Sequence, residues 1–136
     1  MVRHTVKTGD VFLYNDEKQH RYFVVGQDNK NSNKILCVIA TSQCDKRRKY
    51  AAEKNLYSSD SVVSVNPSEY KSEIHHQKCS LTKQTCFDCN DVQIMYWNQM
   101  RSSKKMCSPM NREVLNKLHQ AIRSSPITEE DVLNLL

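Results

Sequence analysis

The chain has 136 residues, 26% of them charged and 38% hydrophobic, with a formal net charge of +5. These values suit one soluble domain with a single core, and the longest apolar run, Ile35 to Ala40, falls far short of the roughly 20 residues of a membrane span. Gly9 and Gly26 are the only glycines and no histidine precedes a glutamate, which excludes the phosphate-binding loop, the dinucleotide fingerprint, the nucleophile elbow and the zinc-protease helix.

In chain order, Val11–Tyr14 follows the turn pair Gly9-Asp10 and reads as a strand ended by the polar stretch 15–19. Arg21–Val25, rich in aromatic and β-branched residues, reads as a second strand. Ile35–Thr41 reads as a third, after a polar loop at 27–34, and the two are expected to form a hairpin. Residues 43–58, with Lys46-Arg47-Arg48-Lys49 ahead of Tyr50-Ala51-Ala52, read as a basic surface loop with a helical turn. Val62–Val65, stopped by Asn66-Pro67, is expected as a fourth strand, and 85–95 as a fifth.

Ser108-Pro109 reads as a helix start, Ser as N-cap and Pro in the first helical position. Met110, Val114, Leu118, Ala121 and Ile122 then recur at helical spacing as a core-facing stripe. Thr128 with Asp131 resembles a capping box that opens a short last helix. Strands first and helices after them predict an α+β fold, an antiparallel sheet or small barrel closed on one side by the helix. A single domain is expected over 1–136, with Trp97 as a core anchor.

Six cysteines are too few for a disulfide-stapled secreted scaffold, so reduced thiols are expected. Residues 1–10 hold no apolar secretory segment, so the expected location is cytoplasmic, without membrane contact. His75, His76, Cys79, Cys86 and Cys89 include zinc-ligand types, but the single Cys86-x-x-Cys89 pair would face opposite sides of a regular strand. Neither metal nor cofactor is therefore expected. Residues 128–136 hold Glu129, Glu130 and Asp131 without a base, so the basic excess lies upstream and fits an anionic partner such as nucleic acid.

Thr8-Gly9-Asp10-Val11-Phe12-Leu13 resembles the opening strand of the PemK/MazF-like toxins. Arg21-Tyr22-Phe23-Val24-Val25 stands where that family has Arg-Pro and an apolar strand, and Ile39-Ala40-Thr41-Ser42-Gln43 resembles its strand end with Thr-Ser. Leu81 to Cys89 is similar to a segment of looser members. The likeness covers residues 8–43 and, more loosely, 80–96. Tyr22 replaces the family's proline, and the stretch after Ser42 is longer and more basic than is usual there. The resemblance implies an SH3-like small antiparallel β-barrel over about 8–96 with C-terminal helices over about 108–136. It further implies a metal-independent endoribonuclease cutting single-stranded RNA, paired with an antitoxin protein and working as a homodimer.

Arg21 and Thr41 stand at the positions where the family keeps its catalytic groups, with the Ser42 hydroxyl beside them. Without that likeness, Arg21 would be a solvated strand-end residue, and the hydroxyls of Thr41 and Ser42 would bond to nearby backbone. His20 is the histidine best placed to move a proton near neutral pH. His20 and Arg21 would point to opposite faces of a regular strand, so they share a pocket only where the strand is irregular. One hairpin register sets Thr41 across from Arg21; a slip of one residue sets it across from His20. Lys46, Arg47, Arg48 and Lys49 are either a solvated run or an RNA-binding patch, with Tyr50 available for stacking. The alternative is a non-catalytic SH3-like barrel binding nucleic acid or a protein partner, and a small zinc-bound protein is a third reading.

Overall fold

The computed structural model describes residues 6–14, 20–54, 57–100 and 104–136, so the polar stretch at 15–19 lies outside the described residues. Among the described residues, seven strands and four α-helices run in the order β1 (Val11–Tyr14), β2 (Arg21–Gln27), β3 (Lys34–Thr41), α1 (Cys44–Glu53), β4 (Val62–Val65), α2 (His76–Cys79), β5 (Thr85–Asp88), β6 (Gln93–Tyr96), β7 (Lys104–Met106), α3 (Arg112–Ser124) and α4 (Glu130–Leu133). The strands form a curled antiparallel sheet in the order β4-β5-β3-β2-β1-β7, with β6 on the remaining stretch of β3. The α+β expectation holds.

Both faces of β1, β2 and β3 are covered, which explains why their sequences are runs of apolar residues rather than alternating ones. One face packs Val11, Phe23, Val38 and Phe87 under Val114, Leu118 and Ile122 of α3. The other packs Phe12, Tyr22, Ile35 and Trp97, with Trp97 edge-on to Phe12 at 5.0 Å between centroids. Fully burying each of these large side chains contributes about 1.5–3 kcal/mol. Trp97 is thus a core anchor, and Lys104 lies over its indole at 4.2 Å.

Several elements differ from the sequence expectations. The stretch 85–95 is two strands joined by a turn in which the Asp91 N–H bonds the Asp88 carbonyl at 3.1 Å; β5 pairs the end of β3, and β6 its start. Residues 44–53 form a helix rather than a basic loop, because Lys, Arg and Ala are good helix formers and Asp45 sits favourably in the first turn. The helix α3 starts later than Ser108: Asn111 caps it, accepting from the Val114 N–H at 2.9 Å. The Ser108 hydroxyl instead accepts from the Glu73 N–H at 2.9 Å. Thr128 caps nothing, since its hydroxyl donates to the Ile122 carbonyl at 2.7 Å, and Glu129 holds the N-cap position of α4.

The expectation of reduced cysteines is overturned. Cys44 is bonded to Cys86 and Cys79 to Cys107, with Cα atoms 5.4 and 5.7 Å apart, while Cys37 and Cys89 are free and buried. The partners lie 42 and 28 residues apart, so local spacing could not reveal them. These bonds also engage Cys79 and Cys86 of the conceived zinc cluster. No helix of the described residues is long and apolar enough to cross a membrane.

Gly26 sits at a register shift in β2 against the C-terminal tail, where the Gln27 N–H donates to the Leu135 carbonyl at 3.1 Å. A Cβ there would overlap the Leu135 carbonyl oxygen, which is backbone and cannot rotate aside. Gly26→Ala is expected to cost about 1–3 kcal/mol of stability in denaturant unfolding; an unchanged midpoint would contradict this packing.

Candidate active site

The pairing of β3 changes at its C-terminal end. Ala40 and Thr41 pair with Phe87 and Cys86 of β5, after Ile39 and Val38 have paired with Tyr22 and Phe23 of β2. A cleft of about 440 Å³ opens at this junction, lined by His20, Arg21, Thr41, Ser42, Arg47, Lys83, Asp88 and Asp91 among others. The structure therefore brings His20, Arg21, Thr41 and Ser42 to one place. Carried on by one and two residues, the β2–β3 register sets Ala40 across from Arg21 and Thr41 across from His20. His20 precedes β2, so the strand's alternation does not bind it to the opposite face from Arg21.

Arg21 is half-buried at the edge of the larger core. Its Nε donates to the Cys79 carbonyl at 2.9 Å and its Nη2 to the Ser80 carbonyl at 3.1 Å, while Nη1 has no hydrogen bond among the described residues. Two carbonyls on one edge of the planar fork fix its orientation and leave the other edge for an anion. Burial lowers its pKa from the ordinary guanidinium value, with the nearby Tyr70 opposing. Burial also pushes the Tyr70 phenol up to about 12, so it stays neutral and donates to the Ser108 carbonyl at 2.6 Å behind the site.

The Thr41 hydroxyl oxygen accepts from the Gln43 N–H at 3.2 Å, tying the strand end to the start of α1 and leaving the hydroxyl hydrogen to donate elsewhere. Helical geometry divides the four basic residues. Arg47 lines the cleft, Lys46 and Lys49 are exposed to solvent, and Arg48 turns to β4, where it donates to the Ser64 hydroxyl. Lys83, which sequence reasoning did not single out, adds a cation to the cleft wall.

Asp88 was also missed. Its Oδ1 accepts from the Asn90 N–H at 3.1 Å and from the Asn90 side-chain amide at 2.9 Å, and that amide also donates to the Ser58 carbonyl. Its Oδ2 is buried without a partner among the described residues, in a side chain 8% exposed. A buried carboxylate oxygen without a partner costs stability. The sequence held one signal: an aspartate between Phe87 and Cys89, in a stretch that otherwise reads as buried strand.

The molecule is a curled antiparallel sheet backed by a C-terminal helix, with a polar cleft at the end of its first hairpin. The same fold occurs in a solved structure described as "Endoribonuclease from Mycobacterial species", with a TM-score of 0.52, 12% sequence identity, and coverage of 91% of this chain and 93% of that one. No protein-family model and no curated protein sequence matches the chain.

Proposed function

We propose that the protein is an endoribonuclease that cuts single-stranded RNA without a metal ion, as a toxin of PemK/MazF type held in check by an antitoxin and acting as a homodimer. The observation that carries this reading is the oriented guanidinium of Arg21 in one cleft with Asp88 and Thr41. The fold shared with an endoribonuclease supports it.

Cutting the RNA backbone without a metal uses the neighbouring 2′-hydroxyl, which attacks the phosphorus in line and displaces the 5′-oxygen. Negative charge builds on the phosphoryl oxygens, one proton must leave the 2′-hydroxyl, and one must reach the departing oxygen. The free edge of Arg21 meets the first need with charge-assisted hydrogen bonds, and the Thr41 or Ser42 hydroxyl adds a neutral one. The Asp88 carboxylate accepts the 2′-hydroxyl proton and His20 delivers one to the leaving group. Lys83 and Arg47 hold flanking phosphates.

Along α1, charge positions RNA and does not read its sequence. Replacing Lys46, Arg47 and Lys49 together by Ser is expected to weaken binding of unrelated single strands to similar extents. The salt dependence of binding is expected to flatten too, its slope falling by about 0.7 for each phosphate no longer neutralised. Arg48 is left in place because it braces β4. An unchanged salt slope would remove α1 from the interface. The proposal itself is tested by incubating the purified protein with a mixed pool of single-stranded RNA in EDTA. Discrete cleavage is expected, whereas binding without any cleavage would favour the non-catalytic barrel module.

A further inference from the structure

The carbonyls that hold Arg21 lie outside the sheet. Cys79 closes the short α2 and Ser80 follows it, within the long connection between β4 and β5. His75, at the head of that turn, has φ +48°, a left-handed conformation that a non-glycine residue keeps only where its surroundings impose it. Two kinds of tie hold the chain that follows His75. One is a chain of hydroxyl bonds: Ser80 Oγ accepts from the Ser72 N–H at 2.9 Å and donates to the Ser72 carbonyl at 3.2 Å, and Ser72 Oγ accepts from the Ser108 N–H at 2.9 Å. The other is covalent, the Cys79–Cys107 disulfide, whose far end is anchored to β1 by the Cys107 N–H on the Val11 carbonyl at 2.9 Å.

We propose that the Cys79–Cys107 disulfide is a positioning element for Arg21, so that turnover at this cleft depends on the thiol state of that pair. The inference rests on the proposed ribonuclease reading and adds a mode of regulation to it. Cys79 serves twice: its sulfur forms the crosslink, and its carbonyl oxygen accepts the Arg21 Nε–H and so makes half of the guanidinium's seat. Exchange with a dithiol reductant breaks the S–S bond. The dithiol supplies two electrons and two protons and closes to its own disulfide, and Cys79 and Cys107 are left as thiols. The Cys79–Ser80 backbone then keeps its hydrogen bonds, among them the hydroxyl chain and the Cys79 N–H on the His75 carbonyl, but loses its covalent tie to β1, and the guanidinium loses its fixed aim. Loss of aim lowers the rate of the chemical step more than it lowers RNA affinity, because an aligned charge acts on the transition state while flanking phosphates are held by other cations.

The test uses Cys79→Ser with Cys107→Ser, checked for folding by circular dichroism. The expected result is a kcat roughly 10 to 100-fold lower, an affinity for uncleavable 2′-O-methyl RNA within about threefold of the parent, and, when Arg21→Ala is added, a total loss no greater than that of Arg21→Ala alone. Full-rate cleavage, or losses that multiply with Arg21→Ala, would overturn the proposal. Should that variant not fold, brief dithiothreitol treatment of the parent, with alkylation and mass analysis to locate the opened pair, gives the same readout. A measurement free of RNA separates failure of this proposal from failure of the ribonuclease reading. The Arg21 Nε–H resonance, assigned by its absence in Arg21→Lys, is expected to be protected from exchange in the oxidised protein and to lose protection when the pair is opened. Retained protection would refute the positioning role whatever the protein does to RNA.

Discussion

Arg21→Ala, folded, is expected to cut single-stranded RNA roughly 10²–10³-fold more slowly than the parent. The size follows from where the charge sits. The guanidinium is half-buried, its Nε and Nη2 are spent on the Cys79 and Ser80 carbonyls, and it therefore faces the cleft in one orientation that need not be re-formed at each turnover. A phosphoryl group gaining charge in the transition state meets a donor already aimed at it, in surroundings poorer in water than the open surface. Arg21→Lys is expected to recover little of the rate, because an ammonium cannot occupy both carbonyls and still present a planar edge to phosphate. An alanine variant that cleaves at the parental rate would remove Arg21 from the chemistry.

Asp88→Asn is expected to lower the cleavage rate by about 10²–10⁴-fold while leaving the fold at least as stable. The two halves of this expectation come from one observation. Oδ1 is engaged by Asn90 and Oδ2 is buried without a partner among the described residues, so the carboxylate is an acceptor that the folded protein does not use. The amide retains the shape and can retain the Asn90 contacts, but it replaces a proton acceptor by a donor. Rate and thermal melting measured on the same preparation separate a role in the reaction from a role in structure. A large loss of stability, or no loss of rate, would make Asp88 a structural residue.

Much of the frame was legible because it rests on short-range signals. The apolar, β-branched content of 21–25 and 35–41 marked the hairpin, and the spacing of Val114, Leu118 and Ile122 marked the buried face of α3. What was hidden depends on partners distant in the chain. Ser108-Pro109 has the local chemistry of a helix start, but the Ser108 hydroxyl is drawn to the 73–74 backbone, so the helix begins at Arg112 under an Asn111 cap. The strand expected over 85–95 breaks because β3 presents one edge to two partners in succession, which only the folded sheet reveals. At the site, a resemblance marked Arg21 and Thr41 with Ser42 beside them, and the proton-transfer chemistry of histidine marked His20. Asp88 and Lys83 reach the cleft, and the Cys79 and Ser80 carbonyls reach Arg21, from the far side of the connection that follows β4; those carbonyls lie 58 and 59 residues along the chain from Arg21. The two disulfides were hidden for the same reason.

In the proposed reaction the RNA's own 2′-hydroxyl is the nucleophile, and the cleft supplies charge and proton transfer without a metal. The most direct measurement takes one mapped cleavage site in a short single-stranded RNA, in EDTA, and analyses the product ends by mass spectrometry, beside the same oligonucleotide with a 2′-deoxy residue at the cut. The expected products are 2′,3′-cyclic phosphate and 5′-hydroxyl ends from the RNA, with no cleavage of the 2′-deoxy substrate. Ends bearing 3′-hydroxyl and 5′-phosphate, equal cleavage of the 2′-deoxy substrate, or activity that vanishes in EDTA and returns with a divalent cation would contradict it.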